Sequence, residues 1–311
     1  MLLSQFPNIR WLKRQIQAQF QQGKGWNGSD LPFLGWPTVL LNAQTSHVVR
    51  DDIEGPLSIF MNQSGKSTIG TQKEQTLLTS QTYLVTNDKE HYNLIINETQ
   101  PTETFNLHFG THFQQEAWHW FLHSHEALLD EPQPYQSRLL HFPFRTAWRS
   151  PEFNLLVSQL KQAYVHQHTA EVKEQLLLSI FEHIILQNHT DKQQKEQLVA
   201  LKKSTKEELL QRLYRAVDYI YAYYNQSISL EQLAAISCLS KYHFLRSFKQ
   251  AFGLPPYQFI KKVRCQQAVH LLNTTRLPLQ EIADSIGLEN ASSLSRMLFK
   301  QTGYYPKTFR S

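Results

Sequence analysis

Two stretches of this chain, about fifty residues apart, repeat one pattern of capping, small and buried-type residues, and that pattern leaves few folds open to them. The first is SLEQLAAISCLSKYHFLRSFKQAFG, from Ser229 to Gly253. Ser229 and Gln232 stand at capping-box spacing, and Leu230, Leu233 and Ala234 form the inner face of a short helix. Ala234 is small where two steeply crossing helices must approach closely. Cys238 and Leu239 make a tight turn, Ser240 caps a second helix, and Gly253 stops it. Phe244, Phe248 and Phe252 recur at helical spacing as its buried side. In the second stretch Pro278 stands at a first helical position, Ile282, Ala283 and Ile286 face inward, and Gly287 and Leu288 turn the chain. Asn290 caps the following helix, Leu294 and Leu298 are its buried side, and Gly303 ends it. Between the stretches, Tyr257 to Leu272 reads as one continuous helix with Ile260, Val263, Ala268 and Leu271 inward. A new helix also opens upstream, at Thr205 with Glu208.

The outward faces of the two second helices differ from an ordinary solvated surface. The first carries Lys241, Tyr242, Leu245, Arg246 and Lys249, a basic and aromatic set suited to a major groove. The second carries Ser292, Ser295 and Arg296. For a single unit, a charged face on a plain helical pair is an equal alternative; two such units in register are hard to obtain by chance. Charge along the chain points the same way. The net charge of +5 is small for a nucleic-acid binder, but Thr205 to Ser311 hold 14 Lys and Arg against 7 Asp and Glu, whereas the rest holds 17 against 19. The excess basicity therefore sits in the last third, and 12 of the 14 histidines lie before residue 190.

These C-terminal residues resemble the AraC/XylS family of transcription regulators. The resemblance is carried by Leu233-Ala234, Leu239-Ser240, Phe248-Lys249 with Gly253, Arg264 with Ala268 and Leu271-Leu272, Ile282-Ala283 with Gly287, Ser295-Arg296, Gly303, Pro306 and Phe309-Arg310. It implies a seven-helix domain whose two helix-turn-helix units lay their second helices in successive major-groove segments. It also implies base reading from Tyr242, Leu245 and Arg246 in the first unit, and from Ala291, Ser292, Ser295 and Arg296 in the second. Arg246 and Arg296 are the strongest candidates, because a guanidinium can hold guanine O6 and N7 together. Leu245 and Ala291 offer only apolar contact. Lys241, Lys249 and Ser293 are expected at phosphates. The chain departs from the family pattern at Leu288, Leu298 and Phe299, where Phe, an aromatic and a basic residue are usual. The last change removes an expected phosphate contact, so the second unit is expected to bind DNA more weakly or to meet another protein.

The first half reads differently. Thr38–Leu41, Leu57–Met61, Thr82–Val85, Tyr92–Ile96 and Thr104–Phe109 are short strand-like runs. Gly55-Pro56, Asn62–Gly65, Asn87-Asp88 and Asn97–Pro101 separate them as turns. From Gln114 the pattern becomes helical, with a break at Glu131–Pro134. Two apolar stripes follow: Phe153, Leu156, Leu160 and Tyr164, then Val172, Leu176, Ile180 and Ile184. Packing against the sheet and sealing a dimer are even alternatives for these stripes. The run from Tyr92 to Phe109 resembles the late strands of the cupin-like sensor domain that precedes many such DNA-binding domains. That resemblance implies a β-barrel holding a small-molecule effector, with Trp36, Phe60, Tyr83, Tyr92 and Phe105 as candidate lining residues; for each, ordinary core is the commoner role.

The expected architecture is thus α+β in two domains. A cupin-like β-barrel with following helices occupies residues 1–190, a polar linker or solvated helix 191–204, and an all-α domain with two helix-turn-helix units 205–311. The expected partners are double-stranded DNA, a small-molecule effector, a second copy through helices around 150–187, and RNA polymerase. No cofactor and no metal site is expected: the cysteines are Cys238 and Cys265 alone, and His119, His123 and His125 lie after the strands rather than on them. No Ser/His/Asp or nucleophilic cysteine motif argues for an enzyme. A metal-dependent cupin-type enzyme with a DNA-binding appendage, or a front domain that docks a protein, are the alternatives weighed. No apolar run approaches the roughly 18 to 20 residues of a membrane span, and a cytoplasmic location is the default expectation.

Overall fold

The computed structural model describes residues 1–7, 36–72, 74–122, 141–198 and 203–310. The chain divides into two units, Met1–Asn188 and His189–Ser311. No helix among the described residues is long and apolar enough to cross a membrane.

Among the described residues, the first unit is built on an eight-stranded sheet. Its strands are β1 (Leu2–Leu3), β2 (Val39–Glu54), β3 (Ser58–Ser64), β4 (Ser67–Gly70), β5 (Gln75–Leu78), β6 (Thr82–Thr86), β7 (His91–His108) and β8 (Thr146–Trp148). The order is β1-β2-β7-β3-β6-β8, with β4 pairing both β5 and β7. Three of the four expected turns separate strands. The fourth, Asn97–Pro101, does not: β7 runs through it unbroken. Thr45 pairs Thr102 and His47 pairs Asn97, so residues 98–101 stand opposite Ser46 alone and bulge outward, exposed. Proline has no N–H to give a ladder, so a bulge accommodates Pro101 without losing a hydrogen bond. The turn-forming residues were legible; that they would kink a long strand instead of ending it was not.

Strand alternation gives this sheet two unlike faces. Phe60, Ile69, Leu78, Leu84, Tyr92, Leu94 and Ile96 cluster on one face. On the other, Ile59, Met61, Tyr83, Val85, Phe105 and Leu107 pack under helices α1 (Thr111–Leu122), α2 (Pro151–Val165) and α3 (Ala170–Gln197). Phe181 of α3 centres that layer, with the rings of Phe109 at 5.4 Å and Trp118 at 5.0 Å. This decides most of the two stripes in favour of core. Phe153, Leu160, Ile180 and Ile184 are fully buried, Leu156, Tyr164 and Leu176 pack against them, and only Val172 is exposed. The expected break at 131–134 and the histidines 123 and 125 lie outside the described residues.

The polar stretch expected as a linker or solvated helix is helical through Gln197, as the end of α3, and the division between the units falls within that helix. The second unit continues with α4 (Lys203–Tyr223), α5 (Leu230–Ile236), α6 (Lys241–Phe252), α7 (Pro256–Thr274), α8 (Leu279–Ser285), α9 (Ala291–Thr302) and a short 3-10 turn, Pro306–Phe309. Helix α4 begins two residues before the expected cap, so Thr205 is an exposed first-turn residue. Pro278 is itself the N-cap of α8, one position before the expected place. Phe244 and Phe248 are fully buried as expected, and Phe248 meets Phe259 of α7 edge-on at 5.5 Å. Ile282, Ala283, Ile286, Leu294 and Leu298 form a second small core with Ala268 and Leu272 of α7.

Candidate nucleic-acid interface

The two helix pairs are copies in backbone terms. Helices α5 and α8 each have 7 residues, and α6 and α9 each have 12. Both longer helices end at a glycine in the left-handed region, Gly253 at φ 72° and Gly303 at φ 79°. Ser229 caps α5 with a full capping box: the Gln232 N–H donates to Ser229 Oγ at 3.1 Å and the Ser229 N–H to Gln232 Oε1 at 2.9 Å. Ser240 and Asn290 cap α6 and α9 by accepting from the N–H of His243 and Ser293. A cap not foreseen comes from Gln280 of α8, whose Oε1 accepts the Ala291 N–H at 3.2 Å, joining the two helices of the second unit.

Each turn has one residue at positive φ, Cys238 at 51° and Gly287 at 74°. Each turn's carbonyl also accepts from an arginine of a flanking helix. Arg212 Nη1 of α4 donates to Cys238 O at 3.3 Å, and Arg264 Nη1 of α7 to Gly287 O at 3.0 Å. Arg264 further donates to Tyr224 O at 2.7 Å and Gln226 O at 2.8 Å, so its guanidinium ties α7 to the end of α4 and to the second turn. Burial pulls its pKa below the ordinary arginine value. A non-glycine residue in the left-handed region carries strain on the order of 1 kcal/mol. Cys238→Gly should therefore raise stability by about 0.5–1 kcal/mol, read as a higher urea midpoint at unchanged slope. A midpoint at or below that of the unaltered chain would show that the turn is unstrained.

With the helices so placed, Tyr242, Leu245, Arg246 and Lys249 are exposed along one side of α6, Tyr242 at 77%. Lys241 is exposed too, but its Nζ lies 2.6 Å from Glu231 Oε1, and that lysine holds the Glu231 carboxyl below its usual range. Phosphate would have to compete with Glu231 for Lys241. On α9, Ser292 and Arg296 are exposed, and Ala291, Ser293 and Ser295 are half-buried. Arg296 Nη2 lies 3.3 Å from Ser293 Oγ, and the Ser295 hydroxyl donates to Ala291 O at 3.0 Å. The side chain of Ser295 is thus turned back on its own helix, leaving only its lone pairs for a partner. Phe299 is 47% exposed and stacks on Tyr305 at 4.7 Å, so the aromatic stays at the surface.

One part of the surface was not anticipated. Between α7 and α9 runs a groove lined by Tyr257, Lys261, Arg264, Ser293, Arg296 and Lys300, with no carboxylate in its lining. Lys261 Nζ sits 4.4 Å above the Tyr257 ring, and hydrogen bonding to Lys261 draws the Tyr257 hydroxyl pKa down. The signal was available as Lys261 and Arg264 three apart and Arg296 and Lys300 four apart, but only packing shows that these pairs face one another.

In the first unit, a cavity of about 650 Å³ counting its open mouth lies on the inner face of the sheet. Of the expected effector residues, Trp36, Phe60 and Tyr92 line it. Tyr83 and Phe105 do not. Both belong to the layer under the helices, where Tyr83 stacks on Phe153 at 4.5 Å. The reason is strand parity: Tyr83 and Phe105 project from the opposite face to Leu84 and Asn106. Arg50, Asn106 and His108 also line the cavity and were not among the expected residues. The alternation Phe105-Asn106-Leu107-His108-Phe109, with polar residues between apolar ones, was the available signal. Among the described residues no group of histidine, cysteine, aspartate or glutamate could hold a metal ion.

Residues 233–311 match the model of a family described as a helix-turn-helix domain. The arabinose operon regulatory protein of Escherichia coli K12 is 25% identical over 214 residues, covering 66% of this chain and 68% of that protein. The bifunctional transcriptional activator/DNA repair enzyme AdaA of Bacillus subtilis is 33% identical over 93 residues, 30% of this chain and 44% of that protein. Among solved structures, the DNA-binding domain of AdpA in complex with a target DNA is 27% identical, covering 32% of this chain and 89% of that chain at a TM-score of 0.31. The duplicated capped helix pairs and the helix-turn-helix match over the same residues converge: the C-terminal unit is an AraC-type helix-turn-helix domain, and the chain is similar to transcription regulators such as the arabinose operon regulatory protein.

Proposed function

We propose that this chain is a sequence-specific regulator of transcription that reads double-stranded DNA through α6 and α9 and responds to a small molecule held in the cavity of its first unit. The observation that carries the reading is the pair of equal, capped helices, each presenting an exposed arginine at the same place, Arg246 and Arg296. The two helices would enter successive major-groove segments about 34 Å apart. Lys249 and, in the groove, Lys261 and Lys300 would follow the phosphate backbone, and RNA polymerase is the expected protein partner at a promoter. Dimerisation would use the outward side of α2 and α3, where Leu155 and Leu186 are each 59% exposed, because Ile180 and Ile184 are committed to the core.

Selecting DNA from a random pool with the purified full chain tests this reading. Enrichment of one sequence with two base-specific blocks a helical turn apart is expected; recovery of unenriched DNA would refute it. At Phe299, exposed beside Tyr305, a lysine should add one phosphate contact. Phe299→Lys should steepen the slope of log K against log salt by about 0.9 and strengthen binding. An unchanged slope would show that this position does not face the backbone.

A further inference from the structure

The groove between α7 and α9 has walls of two kinds. Its cations are Lys261 and Arg264 of α7 with Arg296 and Lys300 of α9, and none of its lining residues is a carboxylate. Lys241, elsewhere on this unit, is held by Glu231; Lys261, Arg296 and Lys300 have no such carboxylate partner among the described residues. Like charges grouped in this way repel one another, and an anion placed among them relieves the repulsion.

These cations converge on common space. The Tyr257 hydroxyl has its pKa drawn down first by hydrogen bonding to Lys261 and by the charge of that lysine, then by the charges of Arg264 and Lys300. Three cations from two helices thus act on one oxygen at the edge of the groove. Arg264 gives N–H groups to Tyr224 O, Gln226 O and Gly287 O, so its contribution is charge more than hydrogen bonding.

The other wall is carbon. Ile260 is buried, and Ile228, Leu288 and Met297 are half-buried along the groove. The room between the walls is about 470 Å³, inside the roughly 300–1,000 Å³ usual for small-molecule sites. A phosphodiester strand lying along the rim would neutralise the cations, but its charged backbone is poorly matched to an apolar wall. An anion with a carbon body suits both walls at once, the body by apolar burial and the head by charge.

We propose that this groove binds a small amphipathic anion, an apolar body carrying a carboxylate, and that its occupancy excludes DNA from α9. The body covers Ile228, Leu288 and Met297, and the carboxylate lies among the cations. Arg296 belongs both to the groove and to the exposed side of α9, so ligand and DNA compete for one side chain. The exclusion rests on the reading that α9 enters DNA; the binding does not. The site is separate from the cavity of the first unit and lies within the DNA-binding unit itself.

The test titrates the full chain calorimetrically with 4-butylbenzoate, 4-butylbenzamide and acetate. The amide keeps the body without the charge, and acetate keeps the charge without the body. The benzoate should bind more tightly than either by about tenfold or more. Equal binding of the amide would overturn the role of the cations, equal binding of acetate would overturn that of the apolar wall, and binding by none would overturn the site. Lys261 is half-buried and Lys300 exposed, so Lys261→Gln and Lys300→Gln leave the core intact. Each should weaken the benzoate by about threefold or more. If neither does, the benzoate sits elsewhere on the chain and the assignment is overturned. Saturating 4-butylbenzoate should also weaken binding of the selected DNA by about tenfold. Unchanged DNA affinity with the benzoate bound would overturn the exclusion while leaving the site. Selection from the random pool tests the DNA reading by itself, so a failure there is not mistaken for a failure of the groove.

Discussion

Gly287→Ala should destabilise the C-terminal unit by about 2–5 kcal/mol and abolish DNA binding with it. Two costs combine. Gly287 has φ 74°, where a Cβ costs roughly 1–2 kcal/mol. A Cβ there would also stand 2.1 Å from the backbone oxygen of Asn225, and relieving such an overlap costs about 1–3 kcal/mol. The loss extends further, because Asn225 lies between Tyr224 and Gln226, whose carbonyls, with that of Gly287, bind Arg264. Moving any of these backbones weakens the tie between α7 and the second turn. Gly253 and Gly303 make the contrast: each is also at positive φ, but nothing lies within 4 Å of a Cβ placed there, so alanine at either should cost only the conformational part. Urea titration of the three variants checks this ordering. A Gly287→Ala midpoint equal to that of Gly253→Ala would mean that the Asn225 carbonyl moves aside freely.

Removing either recognition arginine should have the largest effect on DNA selectivity. Arg246→Ala and Arg296→Ala are each expected to cost about 1–3 kcal/mol, roughly 5- to 150-fold in affinity for the selected sequence, with preference relaxed over one or two base pairs. Neither residue is paired with a carboxylate among the described residues, so neither alanine leaves a buried charge behind and the loss reports on DNA. Lys249→Ala should behave otherwise, weakening cognate and random duplexes alike and reducing the salt slope by about 0.9. Affinity measured on both duplexes at several salt concentrations separates the two patterns. Equal losses on cognate and random DNA for both arginines would reassign them to phosphate contacts. Arg296 is the more informative, since it also borders the groove of Lys261 and Lys300 and lies 3.3 Å from Ser293 Oγ.

The C-terminal unit was legible from sequence because its signals are local. A capping Ser229, a stop at Gly303 or a row such as Phe244 and Phe248 acts within a few residues, and the backbone obeys it at the place where it is written. The outward sides of α6 and α9 follow from the inward sides by helical geometry. The first unit is less legible. Asn97–Pro101 carries real turn chemistry, yet pairing of β2 along both sides of it absorbs those residues as a bulge. Tyr83 and Phe105 form one aromatic set with Phe60 and Tyr92 by composition, but both of a strand's faces are apolar here and composition cannot say which one meets the helices.

What the sequence determined by itself is the order and surface chemistry of the helices of the two helix-turn-helix units, because each is specified by contacts within a turn or two of the chain. What only the tertiary structure decided is which groups separated in sequence meet. Strand register placed Asn106 and His108 in the cavity and Tyr83 outside it. Helix packing brought Lys261 to face Lys300, and set Asn225 so close to Gly287 that no side chain fits between them. Such contacts depend on the summed geometry of many intervening residues, and no short stretch of the chain records that sum.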